Sequence, residues 1–81
     1  MNLFVANISH VVNETALRAL FEQFGSVKSV RIMTDRNTGT SRGFGFVEMS
    51  REDEGREAIR RLGNAEFFGR RLMVSKAHRS S

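Results

Sequence analysis

An alternation of residue types in the segment RGFGFVEM, residues 42–49, constrains the fold of this 81-residue chain more than any other feature. Successive side chains of a β-strand point to opposite faces, so odd and even positions belong to different faces. The odd positions are Gly43, Gly45, Val47 and Met49. The even positions are Arg42, Phe44, Phe46 and Glu48. The apolar odd residues predict a buried face, which leaves two phenylalanines flanked by charges on the other face.

Apolar residues at helical spacing predict one helix before this strand and one after it. The inward stripe of the first helix is expected to contain Leu17, Leu20, Phe21 and Phe24. Asn13 is a suitable N-cap for this helix, and Gly25 is expected to end it. Ser50, followed three residues later by Asp53, resembles a capping box at the start of the second helix.

The predicted elements follow the order strand, helix, strand, strand, helix, strand. Strands are expected at residues 2–8, 27–33, 42–49 and 71–77, helices at 14–24 and 51–62, and an extra hairpin at 66–70. A polar, turn-rich loop at 34–41 joins the second and third strands. This βαββαβ order predicts an α+β, ferredoxin-like fold, in which a four-stranded antiparallel sheet carries two helices on one face. Residues 1–77 would form the domain and residues 78–81 a short basic tail.

Three glycines are expected to allow close packing between the helices and the sheet. Gly43 and Gly45 lie on the inward face of the third strand, where they would fit beneath a helix. Gly55 lies inside the second helix, where glycine costs about 1 kcal/mol relative to alanine. Its presence there predicts a close approach of that helix to the sheet.

Alternation in the first strand adds a third aromatic residue to the uncovered face. Leu3 and Val5 are expected to point inward, so Phe4 points outward. The first and third strands are the central pair in this topology, so Phe4, Phe44 and Phe46 should lie together. Such rings stack nucleic-acid bases, and the alternative is that they pack against a partner protein.

Composition excludes several classes of function. Cysteine is absent, which removes disulfides, thiolate zinc sites and a cysteine nucleophile. No apolar run is long enough for a membrane span, and the first residues do not resemble a signal peptide, so we expect a cytoplasmic protein. The formal net charge is +4, and residues 28–51 alone carry five positive and two negative charges. This basic middle indicates a polyanionic partner.

Two segments together resemble the RNA recognition motif family. Residues 42–49, RGFGFVEM, look like its RNP1 octapeptide, and residues 3–8, LFVANI, resemble its RNP2 hexapeptide. They occur in the expected order on the expected strands, and residues 2–77 follow the family plan. The chain as a whole resembles small bacterial, especially cyanobacterial-type, proteins with one such domain. Met49 departs from the family pattern, which has Phe or Tyr there, but its inward position predicts an effect on packing only.

The resemblance implies roles for individual residues. Phe4 and one of Phe44 and Phe46 would stack bases, while the remaining ring would pack between sugars, and Arg42 would contact phosphate. Glu48 would accept a hydrogen bond from a base amino group or form a salt bridge with a neighbouring arginine. Further contacts are expected from outward residues of the outer strands and from the C-terminal segment that leaves the sheet: Arg31, Met33, Met73, Ser75, Lys76, His78 and Arg79. Asn7 matches the motif, and its expected role is to hold the turn after the first strand.

These features predict a protein that binds single-stranded RNA, acts in post-transcriptional regulation or RNA chaperoning, and needs no cofactor, metal or small-molecule substrate. We expect a monomer, although the sequence leaves the oligomeric state open. Single-stranded DNA is an alternative ligand, because stacking does not read the 2′-OH. An enzyme of the acylphosphatase type would need a phosphate-binding arginine at residues 9–13, where the sequence is SHVVN. A domain that binds proteins would more often lack the three aromatic residues.

Overall fold

The computed structural model describes residues 1–77, and His78 and Arg79 lie outside the described residues. The strands are β1 Asn2–Ala6, β2 Val27–Thr34, β3 Ser41–Met49, β4 Glu66–Phe67, β5 Arg70–Arg71 and β6 Met73–Lys76. The helices are α1 Glu14–Glu22 and α2 Glu52–Leu62. No helix within residues 1–77 combines the length and the apolar character that crossing a membrane requires.

The predicted ferredoxin-like fold is confirmed. Four strands form an antiparallel sheet in the order β2-β3-β1-β6, and β4 pairs with β5 in the small hairpin. The central position of β1 and β3 is therefore as predicted. β1 ends two residues earlier than expected, because Asn7 has a φ of 59° and leaves the extended conformation.

A single apolar core lies between the helices and one face of the sheet. Its largest fully buried side chains are Phe21, Leu3, Ile8, Leu17, Met49, Leu72, Val5 and Val47. Phe24 and Phe67 are partly buried against this core, while Phe68 remains 55% exposed. The burial of Met49 confirms that the departure from the family pattern falls on the packed face.

Of the three helix-end signals described above, the Asn13 cap, Gly25 and the Ser50–Asp53 capping box, only the first has its predicted role. Asn13 caps α1 as expected, because its Oδ1 accepts a hydrogen bond of 2.8 Å from the backbone N–H of Ala16. Gly25 does not end α1, since the helix stops at Glu22. The side chain of Glu54 occupies the space beside Gly25 that a Cβ would need, so this glycine allows α2 to approach.

The predicted capping box of α2 is wrong. Arg51 is the N-cap residue, and no side chain caps the helix there. Asp53 instead binds the Arg51 guanidinium, with an Nε–Oδ1 distance of 3.0 Å. This hydrogen bond lowers the pKa of Asp53 below its usual value. A charge pair across the first residues of α2 thus replaces the hydroxyl cap that the sequence suggested.

The glycines of β3 lie against neighbouring backbone and not beneath a helix, which corrects their predicted role. A Cβ on Gly45 would collide with the backbone carbonyl of Arg31 on β2. Gly43 has a φ of 84°, a conformation that side chains disfavour. Gly55 does permit close packing, as predicted, because a Cβ there would overlap the side chain of Met1. Met1 extends the N-terminal end of β1, because its carbonyl accepts a hydrogen bond of 2.9 Å from the N–H of Met49.

Two side chains of α1 bind the outer edge of β2, which has no neighbouring strand within residues 1–77. The backbone N–H of Ile32 donates to Glu14 Oε2 at 2.9 Å, and Arg18 Nη1 donates to the carbonyl of Val27 at 3.0 Å. An uncovered strand edge is a template for pairing with another chain. Glu14 and Arg18 therefore satisfy part of this edge from within the domain.

Replacing Glu14 should weaken the fold through this edge. Glu14→Ala removes an acceptor for the Ile32 N–H and a negative charge at the start of α1, so we expect a loss of about 1 kcal/mol in the free energy of unfolding. Glu14→Gln keeps a side-chain acceptor and should lose less. Urea denaturation of both variants measures the difference, and equal stability of Glu14→Ala and the wild type would contradict a role for this contact.

Candidate nucleic-acid interface

Three phenylalanine rings lie together on the sheet face that the helices leave uncovered. Ring centroids are 5.6 Å apart for Phe4 and Phe46, 5.8 Å for Phe4 and Phe44, and 6.5 Å for Phe44 and Phe46. The angles between ring planes range from 41° to 86°. All three residues are half-buried, so the rings support one another and still expose apolar surface.

The strand register continues this aromatic cluster in rows across the sheet. One row crosses all four strands and consists of Arg31, Phe46, Phe4 and Ser75. The next row consists of Phe44, Ala6 and Met73. Met73 is 63% exposed and therefore adds a flexible apolar side chain at the β6 side of the cluster.

Arg42 places a positive charge at one end of this face. Its guanidinium carbon lies 5.6 Å from the centroid of the Phe44 ring, within the range of a cation–π contact. The neighbouring loop is ordered by Asp35, whose carboxylate accepts hydrogen bonds from the N–H groups of Asn37 and Thr38. These two bonds lower the pKa of Asp35, and the charge of Arg42 contributes in the same direction.

Comparison with known proteins assigns this arrangement to a family. The model of the RNA recognition motif matches residues 3–73. The candidate RNA-binding protein RbpA of Nostoc sp. is 49% identical over 77 residues, which cover 95% of this chain and 76% of that protein. The chloroplast RNA-binding protein CP31B of Arabidopsis thaliana is 44% identical over 75 residues, 93% of this chain and 26% of that protein. The chain belongs to the RNA recognition motif family.

Solved structures agree with membership of the RNA recognition motif family. The crystal structure of RNA-binding protein PG1 superposes with a TM-score of 0.96 at 48% identity, and the match covers 100% of this chain and 98% of that one. A Sex-lethal protein in complex with RNA superposes with a TM-score of 0.92 at 34% identity, covering 99% of this chain and 48% of that one. The resemblance predicted from the two short motifs is therefore confirmed.

Most of the expected contact residues of this RNA recognition motif lie on the open face. Arg31 and Ser75 are exposed beside Phe46 and Phe4, as strand alternation predicted. Met33 is half-buried at an irregularity of the β2–β3 pairing, where it has no direct cross-strand partner. The structure brings these side chains together, and their contacts with RNA stay a prediction.

Lys76 does not leave the sheet, which corrects one expectation. It is the last residue of β6 and lies directly opposite Leu3. Cross-strand partners share a face, so Lys76 belongs to the side of the sheet that carries the helices. The predicted contributions of His78 and Arg79 fall outside the described residues.

Two polar residues of the open face did not enter the predicted site. Asn2 and Ser29 both lie opposite Glu48, one on each side of it, in the row below Phe46 and Phe4. The alternation that selected Phe4 also places Asn2 outward, because the two differ by two positions. The alternative salt bridge of Glu48 is not found, since its carboxylate forms no ion pair within residues 1–77.

Asn7 has a longer-range role than the turn contact that the sequence suggested. Its Nδ2 donates to the carbonyl of Arg71 at 2.7 Å, and its Oδ1 accepts from the Arg70 guanidinium, with an Nε–Oδ1 distance of 3.0 Å. These bonds join the end of β1 to the β4–β5 hairpin. Asn7 also tolerates the left-handed backbone at this position better than most residues.

Substitution of Asn7 should separate its backbone role from its side-chain role. Asn7→Gly loses the hydrogen bonds but keeps a residue suited to the left-handed conformation. Asn7→Ala loses the bonds and adds backbone strain of about 1 kcal/mol, so it should be the less stable of the two. Thermal unfolding of both variants measures this order, and a more stable alanine variant would contradict the assignment.

Proposed function

We propose that this protein is a non-catalytic RNA-binding protein that holds single-stranded RNA by stacking bases on Phe4, Phe44 and Phe46. One observation carries the proposal: three half-buried aromatic rings lie within 6.5 Å of one another on a face that no other element of residues 1–77 covers. Stacking of this kind contributes about 1–3 kcal/mol per base. It requires unpaired bases that can leave their own stack, which favours a single strand over a duplex.

The ion pairs of the domain support a nucleic-acid partner. All five within residues 1–77 involve residues of the helices or the N-cap of α2: Arg18–Glu22, Arg51–Asp53, Arg56–Glu52, Arg60–Glu57 and Arg61–Glu57. The other lysines and arginines of residues 1–77 form no ion pair with a described residue: Lys28, Arg31, Arg36, Arg42, Arg70, Arg71 and Lys76. They come from the strands and from the β2–β3 loop. Among them, Arg31 and Arg42 lie beside the aromatic cluster, where positive charge attracts phosphates.

The relatives support the same ligand. RbpA of Nostoc sp. and CP31B carry RNA binding in their names, and the Sex-lethal structure contains RNA. We extend this ligand to the present chain, with residues 1–77 as the binding domain and 78–81 as a basic tail. We further propose a cytoplasmic monomer that acts in post-transcriptional regulation or RNA chaperoning. The contacts of Glu14 and Arg18 support a monomer, because they occupy part of the β2 edge at which a second copy could pair.

Removal of two rings tests the stacking mechanism. A Phe44→Ala, Phe46→Ala variant should bind a fluorescent single-stranded RNA at least about tenfold more weakly, because it loses at least one stacked base. Phe68→Ala is the matched control, since Phe68 is exposed on the hairpin, away from the aromatic cluster. Circular dichroism checks that both variants are folded. Unchanged RNA binding by the double variant would contradict stacking. If the wild type bound DNA of the same sequence as tightly as RNA, selectivity for RNA would be contradicted.

Salt dependence tests the contribution of the uncompensated charges. Removal of one phosphate-binding side chain should reduce the slope of log Kd against log salt by about 0.7 for a single strand. Arg42→Gln should show a reduction of this size. Arg56→Gln should keep the wild-type slope, because Arg56 is paired with Glu52 on α2. A slope that Arg42→Gln leaves unchanged would contradict binding of phosphate by this residue.

A further inference from the structure

A polar row runs beside the aromatic cluster. Asn2, Glu48 and Ser29 lie side by side on β1, β3 and β2, all on the uncovered face. Glu48 and Phe46 differ by two positions on one strand, so their Cα atoms are about 7 Å apart. These residues line a groove of about 430 Å³ together with Glu14, Val30, Arg31 and Phe46, and Phe46 and Val30 form its apolar part.

The carboxylate of Glu48 is unusual in this position. It is half-buried, forms no ion pair and accepts no hydrogen bond from any group within residues 1–77. A negative charge on a phosphate-binding face repels the ligand unless it meets a hydrogen-bond donor. RNA offers two kinds of hydrogen-bond donor at a base-stacking surface, the 2′-OH of the ribose and the N–H groups of the bases. Only the bases can present two adjacent donors that both oxygens of a carboxylate accept. Glu48 is therefore placed to read a base edge and not to hold the backbone.

The four bases differ in what they offer to a carboxylate. Guanine presents N1–H and N2–H side by side, so both oxygens of a carboxylate can accept at once. Adenine and cytosine present one amino group next to a ring nitrogen that repels the second oxygen. Uracil presents one N–H between two carbonyl oxygens, which both repel the carboxylate. A bidentate pair of hydrogen bonds also discriminates a base from the others.

We infer that Glu48 selects guanine for the base stacked on Phe46, with its carboxylate accepting from N1–H and N2–H. This inference rests on the proposed function, because it requires a base on the aromatic cluster. The amide of Asn2, directly opposite Glu48, supplies a donor that O6 of the same guanine accepts. Uracil, which lacks the paired donors, is the base that this position rejects.

The test compares short single-stranded oligonucleotides that differ at one base. A uridine tract with one central guanosine is titrated against the 81-residue chain by fluorescence anisotropy, next to the all-uridine tract and a version with inosine for guanosine. Inosine keeps N1–H and O6 but lacks the 2-amino group. The wild type should bind the guanosine probe about tenfold more tightly than the uridine probe, with inosine between them.

Glu48→Gln should reduce the ratio of the guanosine and uridine affinities to about twofold or less, while its binding of the uridine tract stays equal or rises as a negative charge is removed. Glu66→Gln makes the same change of charge on the β4–β5 hairpin and should keep the wild-type ratio. A wild type without guanosine preference, or a Glu48→Gln variant that retains this preference, would overturn the inference and leave the proposed function standing. If the Phe44→Ala, Phe46→Ala variant bound every probe as tightly as the wild type does, both the proposed function and the inference would be overturned.

Discussion

The pairing of β1 with β3 is the interaction on which the rest of the structure depends. Their antiparallel register places Leu3 opposite Val47 and Phe4 opposite Phe46. The first pair is fully buried beneath the helices, and the second pair lies on the open face. A shift of one residue would exchange these faces and expose the core, so packing of the core fixes the position of the aromatic rings. Stability and the binding surface are therefore set by one register.

Charge is distributed to match this division into two faces. Glu22, Glu52 and Glu57 pair with arginines on the same helices, while Glu14 and Glu54 accept hydrogen bonds from the backbone N–H groups of Ile32 and Ser26. Arg31 and Arg42 have no such partner within residues 1–77 and flank the aromatic cluster on β2 and β3. Exposed pairs at i,i+4 contribute little stability, about 0.3–0.5 kcal/mol each. Because these helix charges pair among themselves, Arg31 and Arg42 remain uncompensated beside the aromatic cluster of a chain whose net charge is +4.

The fold and the centre of the site could be predicted from the sequence because both follow from local periodicity. Alternation separates Phe4, Phe44 and Phe46 from Phe21, which helical spacing assigns to the core. Contacts between distant elements leave no such periodic signal. The bonds of Asn7 to the β4–β5 hairpin and of Glu14 to the β2 edge join residues 64 and 18 positions apart, respectively. They could not be read from any short segment.

The predictions that are wrong have a similar cause. Alternation shows which face Gly45 occupies but not which neighbour is nearest, and that neighbour is the β2 backbone instead of a helix. The position of Lys76 depends on where β6 ends, which its pairing with β1 determines. At the start of α2, Arg51 and Asp53 form a charge pair that competes with the expected hydroxyl cap.

Nuclear magnetic resonance of the phenylalanine rings tests the central claim most directly. In a sample labelled with ¹³C in its phenylalanine side chains, addition of single-stranded RNA should shift the ring signals of Phe4, Phe44 and Phe46. Nuclear Overhauser contacts to base protons should appear at these rings. Phe21, which is fully buried in the core, should show neither effect. Contacts confined to the helices or to the β4–β5 hairpin, with the three rings unchanged, would contradict base stacking on the open face.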